Sequence, residues 1–168
     1  MLNKLSAVAI FATLSCAPAS ANDDLCSLVK ATVAGFASGG WGDFRGAQRG
    51  EAFEGFATYA SLKTFPGFDS CSFIGGEVQL MSARKLTCRA HTASLDVSNQ
   101  KVKEVGDVLH KCLPGAKPGK STVDKQDIQY FQLENLAMVS VTATAPGFLV
   151  EPDNVGYALE IGMNIYKN

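Results

Sequence analysis

Val155 to Ile165, read as VGYALEIGMNI, decides the fold. Val155, Tyr157, Leu159, Ile161, Met163 and Ile165 alternate without a break with Gly156, Ala158, Glu160, Gly162 and Asn164. Successive side chains of a strand point to opposite faces, so this period of two describes a strand with one buried face. Upstream, Val139, Val141, Ala143 and Ala145 alternate in the same way with Ser140, Thr142 and Thr144, and Ile128 to Leu133 reads as a further strand. Turn signals near Glu134-Asn135 and from Pro146 to Asn154 connect the three into an antiparallel meander.

Working back along the chain, the period changes. Leu95, Val102 and Leu109 are spaced by seven, as are Ser98, Val105 and Cys112, which makes the apolar stripe of a helix. Leu113-Pro114-Gly115 stops it, and Pro114 to Ser121 reads as a surface loop. Ser70 to Gln79 and Lys85 to Thr92 read as two strands around a turn near Met81-Ser82-Ala83. Glu54 to Leu62 fits a strand better than a short helix, and Phe65-Pro66-Gly67 is a turn. A first helix runs from Asp23 to Ala37, carried by Leu25, Leu28, Val29, Thr32, Val33 and Phe36, and Ser38-Gly39-Gly40 ends it. The expected architecture is α+β: an antiparallel sheet of five or six strands with two helices packed on one face. No internal repeat is visible.

Residues 1–21 carry one charge at Lys4, an apolar run from Leu5 to Leu14, and the small-residue end Ala19-Ser20-Ala21. This is the layout of a cleaved secretory signal peptide, and the run is too short to span a bilayer. Lipidation at Cys16 is the alternative, but Thr13-Leu14-Ser15 fits that signal poorly. The mature chain of residues 22–168 is long enough for one domain, and the expected location is periplasmic or extracellular. It carries four cysteines, Cys26, Cys71, Cys88 and Cys112, which in an exported protein read as disulfides. Three pairings are possible. Adjacent strands favour Cys71–Cys88, leaving Cys26 in the first turn of one helix to meet Cys112 in the last turn of the other.

The mature chain has 14 Lys/Arg against 16 Asp/Glu, a balance in which nothing suggests nucleic acid, which would ask for a strongly basic face. Charge is uneven, however: Arg84 to Lys125 holds nine basic and four acidic residues, and Gln126 to Asn168 holds one basic and five acidic. The simpler reading is a solvated helix face beside a sheet edge; the functional one is a basic patch for an acidic envelope protein or an anionic envelope component.

No nucleophile elbow, zinc-protease motif or phosphate loop occurs, and nothing calls for a cofactor or a metal. Cys88-Arg-Ala-His91 is the nearest approach to a metal motif and is weak alone. His91 and His110 are the only histidines, so a small exported hydrolase would have to be built around one of them. The most distinctive local feature is Trp41 to Arg49, where Trp41, Phe44, Arg45 and Arg49 sit among glycines. These residue types are enriched in binding hot spots, although the simpler reading has Trp41 and Phe44 folding back to cap the core beside the first helix, with Arg45 paired to an acid. Arg89 and His91 share strand parity with Lys85 and form a second candidate surface. The sequence therefore points to a non-catalytic binding module, with the hydrolase and a carrier of a small apolar ligand as alternatives.

Overall fold

The computed structural model describes residues 21–40, 44–53, 55–78, 81–134, 137–145 and 155–166. The signal-peptide reading, the Cys16 alternative and Trp41 lie outside the described residues. Two helices, α1 (Ala21–Ala37) and α2 (Leu95–Cys112), accompany β1 (Arg45–Phe53), β2 (Phe56–Ser61), β3 (Ser70–Val78), β4 (Met81–His91), β5 (Lys117–Val123), β6 (Gln126–Gln132), β7 (Ala137–Thr144) and β8 (Gly156–Tyr166). All the strands join one antiparallel sheet in the order β1-β2-β3-β4-β8-β7-β6-β5.

The α+β class and the placing of both helices on one face stand. The strand count does not: the sheet has eight strands rather than five or six. The two extra strands are the edges, β1 and β5. Their sequences, RGAQRGEAF and KPGKSTV, show no apolar alternation because an edge strand of this kind buries little side chain. The segment Trp41 to Arg49 is thus not one loop, since Arg45 onward is β1. Pro114 to Ser121 likewise gives way to β5 at Lys117. Both edges also carry features that block further pairing. β1 has three register shifts along β2, and β5 carries Pro118 between Lys117 and Lys120. A further correction falls at Met81-Ser82-Ala83, which begins β4 instead of forming a turn.

The topology is a repeat that the residues do not display. A helix followed by a four-strand meander occurs twice, and the two meanders meet where β4 pairs with β8. One row of helix-facing side chains runs through both halves: Tyr59, Phe73, Leu86, Ile161, Val139 and Phe131. Phe73, Leu86, Ile161 and Val139 are wholly buried, each contributing roughly 1.5–3 kcal/mol through burial. From α1, Val29 and Phe36 enter the same core, and the Phe36 ring meets Phe73 edge-on at 6.2 Å. From α2, Val102 and Leu109 lie across β6, β7 and β8.

Local chemistry fixes the ends of these elements. Ser94 caps α2, its Oγ accepting from the Val97 amide. α1 ends in a Schellman motif: Gly39 is at φ 82°, its N–H donates to Phe36 O, and the Gly40 N–H donates to Gly35 O. Phe65-Pro66-Gly67-Phe68 is a turn with Gly67 at φ 85° and a Phe68 N–H to Phe65 O bond of 3.1 Å. Asp124 and Lys125, both at positive φ, make the two-residue turn of the β5–β6 hairpin. Asn99 of α2 holds that hairpin, its Nδ2 donating to Lys125 O and its Oδ1 accepting from the Asp127 amide.

Two disulfides complete the frame, with the pairing expected from sequence. Cys26–Cys112 ties α1 to α2 and Cys71–Cys88 bridges directly opposed residues of β3 and β4. Their presence marks an oxidising compartment, extracellular or periplasmic. Among the described residues no helix is long and apolar enough to cross a membrane.

Candidate functional site

Because strand side chains alternate, the residues not used by the core line the opposite, helix-free face. One row there is Met138, Gly162, Lys85, Ile74 and Thr58. The next is Tyr130, Ser140, Glu160, Thr87, Ser72 and Ala60. A third is Ile128, Thr142, Ala158, Arg89 and Ser70. Most of these side chains are short, so the longer ones stand clear of the surface. Met138 is 51 % exposed and Tyr130 38 % exposed, large apolar groups open to water on a face that also carries cations. Lys85 is neutralised by Glu160, with Nζ 2.6 Å from Oε1, and the Thr87 hydroxyl donates to the same oxygen at 3.4 Å. Arg89 is exposed between Ser70 and Ala158, and no carboxylate among the described residues pairs with it.

His91 closes β4 on the same face. Asp69 lies beside it, its Oδ2 accepting from the His91 amide at 2.8 Å and lying 3.0 Å from Nδ1. The His91 backbone N–H first, and then its ring, hold the Asp69 carboxyl below the usual carboxylate range. Both side chains are more than half exposed, so the pair projects from the end of the sheet instead of lining a cleft. Cys88 and His91 are three apart on a strand and therefore point to opposite faces. With Cys88 also bonded to Cys71, the Cys88-to-His91 metal reading is excluded. Among the described residues no group of three His, Cys, Asp or Glu could hold a metal ion.

The remaining candidates from sequence are scattered. Phe44 is buried in the core cluster, with the Lys63 ammonium 4.7 Å above its ring. Arg45 stacks over Tyr59 at 4.9 Å, and Arg49 is exposed on β1. Three strand spacings, about 14 Å, separate β1 from β4. Arg45 and Arg49 therefore belong to the edge, while Arg89 and His91 belong to the helix-free face. His110 is exposed on α2, its ring 6.4 Å from that of Phe131.

On the helix side, a cavity of about 350 Å³ opens between the two helices and the 65–67 turn, lined by Leu25, Pro66, Gly67, Lys101, Glu104, Val105, Val108 and Tyr157. The Tyr157 hydroxyl donates to Gly67 O at 2.5 Å, and the ring packs on Phe68. Burial pushes the Tyr157 hydroxyl pKa up. At the rim, the Lys101–Glu104 pair at 2.7 Å raises the lysine and lowers the glutamate, each chiefly through the hydrogen bond between them. Asp69, Glu160 and Tyr157 carry no sequence signal of their own. Strand register and the 65–67 turn bring them to their partners.

No protein family model, no curated protein and no solved structure matches this chain.

Proposed function

We propose that the mature chain is an exported, non-catalytic binding module of the cell envelope, and that an acidic protein docks on the helix-free face of its sheet. One observation carries this reading. Arg89 stands exposed between Ser70 and Ala158 on this face, with no carboxylate among the described residues paired to it, and the same face carries the exposed Tyr130 and Met138 on neighbouring strands. Arg and Tyr are the residue types that dominate binding hot spots, and an acidic partner would complete the ion pair that the fold leaves open. Residues 1–21 have the layout of an export signal, and the two disulfides suit the compartment it would deliver the chain to. The edge strands are poor docking sites, because register shifts in β1 and Pro118 in β5 interrupt the ladder that an added strand would need.

Arg89→Glu tests the reading by affinity capture from envelope extract, followed by titration of the captured protein. Loss of that protein with Arg89→Glu, and retention with Arg45→Ala and Arg49→Ala, supports docking on this face. Retention with Arg89→Glu, or loss with the edge variants, overturns it. Binding to anionic lipid vesicles in place of protein would make the partner a membrane surface.

A second reading keeps the small exported hydrolase. It rests on the 3.0 Å approach of Asp69 Oδ2 to His91 Nδ1, which fixes the ring as an orienting acid does. His91→Ala would then abolish an ester- or amide-cleaving activity that Arg89→Glu leaves intact.

A further inference from the structure

β5 extends the sheet beyond the cover of α2 and leaves a groove between them on the helix side. Residues Lys103, Asp107 and His110 recur at i, i+4 and i+7, so they form one stripe down the flank of α2. Facing them, Pro118, Lys120 and Thr122 are alternate residues of β5 and share one face. Two adjoining cavities of about 310 and 180 Å³ fill this space, and both are lined by Asp107, Lys120 and Gln129. Their position is fixed, because Asn99 clamps the β5–β6 turn to α2.

Gln129 is the informative residue. It is 94 % buried, and its carboxamide lies against the α2 backbone at Gly106, where any Cβ would collide with Oε1. A glycine inside a helix costs about 1 kcal/mol relative to alanine, and here it makes room for a polar group. Among the described residues that carboxamide has no hydrogen-bond partner in the protein, and its polar atoms are not fully enclosed but open into the two cavities. The charges around it balance. Lys103 and Lys120 stand against Asp107 and Asp127, and of these only Asp127 is engaged by a side chain, through the Thr122 hydroxyl at 3.1 Å. A bare anion would meet two carboxylates, a bare cation two ammonium groups, and an apolar ligand would leave the carboxamide unsatisfied.

We propose that this groove binds a free α-amino acid, with the ligand carboxylate between Lys103 and Lys120, its ammonium on Asp107 and a polar side-chain group on the Gln129 carboxamide. The site lies on the opposite side of the sheet from Arg89, and stands or falls independently of docking there.

The test is a nitrogen-15 amide titration of the mature, oxidised protein with the standard L-amino acids, and with acetate and methylammonium as half-ligands. Saturable shifts from at least one polar amino acid, confined to residues 103–110 and 118–129, are expected, and neither half-ligand should saturate. Lys120→Ala and Asp107→Asn, both at exposed positions, should each weaken binding about tenfold or more by deleting a charged partner. Gly106→Ala should abolish it while the circular dichroism spectrum is retained, because the new methyl group displaces the carboxamide. Saturation by acetate alone with equal affinity, shifts centred elsewhere, or no saturable shift from any amino acid would each overturn the proposal.

Discussion

Removing the two disulfides one at a time should cost different amounts, in an order set by chain topology. Cys26–Cys112 closes a sequence separation of 86, whereas Cys71–Cys88 closes one of 17. A cross-link stabilises chiefly by restricting the unfolded chain, and the restriction grows with the logarithm of the closed loop. The loop-entropy relation gives roughly 4.6 kcal/mol for the separation of 86 and roughly 3.1 kcal/mol for that of 17. Cys112 and Cys88 are both buried, so cutting either pair to alanine adds a comparable packing loss and leaves the difference, about 1.5 kcal/mol, nearly intact. Against a typical total of about 5–15 kcal/mol, the larger loss brings the domain close to unfolding. Urea unfolding of Cys26→Ala/Cys112→Ala and Cys71→Ala/Cys88→Ala, followed by far-ultraviolet circular dichroism, measures both. The denaturant slope should rise in each variant as the unfolded state expands, and more for the helix-to-helix pair. Equal losses, or a larger loss from the strand pair, would mean that local packing around Cys88, and not chain restriction, sets the contribution.

Other perturbations have equally definite signs. Tyr157→Phe removes the hydroxyl that donates to Gly67 O and should cost about 1 kcal/mol in chemical denaturation. Since burial raises the Tyr157 pKa above the ordinary tyrosine value of 10.0, the unfolded chain loses that proton first. Its contribution is full below pH 10 and is lost as pH rises through the folded value, so an alkaline decline in Tm should be shallower in Tyr157→Phe. Asp69 has the opposite sign. Its folded pKa is depressed below 3.8, so its stabilisation is present above that pH and is lost as pH falls through the folded value. The Tm gap between wild type and Asp69→Asn should therefore close on acidification. Gly156→Ala drives a methyl group into Ala90 O between β8 and β4 and should cost about 1–3 kcal/mol or more, whereas Gly115→Ala meets open space and should be neutral or slightly stabilising.

How far the sequence discloses the fold depends on how much side chain each element buries. β8 and α2 are legible because the core takes one face of each, so Tyr157, Leu159 and Ile161 fall two apart and Val102 and Leu109 seven apart. The same patterns favour the observed disulfide pairing through the adjacency of the strands that carry Cys71 and Cys88, but they do not by themselves decide among the three pairings that four cysteines allow. β1 and β5 are illegible for the complementary reason. Edge strands held by backbone hydrogen bonds can be built from glycine, proline, arginine and lysine, which are the residues that signal a loop elsewhere. The candidate surface is legible in part. The parity of Lys85, Arg89 and His91 follows from strand periodicity, while Asp69 reaches His91 only through the β3–β4 register. Phe44 shows the limit of composition: its glycine-rich surroundings admit either a binding loop or a cap on the core, and the fold uses it as core. Gln129 is hidden for a related reason, because its role depends on the missing side chain at Gly106, one element away.

Site-specific photo-cross-linking tests docking on the helix-free face without first identifying the partner. A photoreactive residue is placed at Ser70, which is exposed and opposes Arg89 across the β3–β4 ladder, with a control at Val97, which is exposed on α2. In intact cells, position 70 should give one discrete adduct of protein size that position 97 does not give, and Arg89→Glu introduced alongside should abolish it. No adduct from position 70, the same adduct from both positions, or an adduct unchanged by Arg89→Glu would rule out docking on this face.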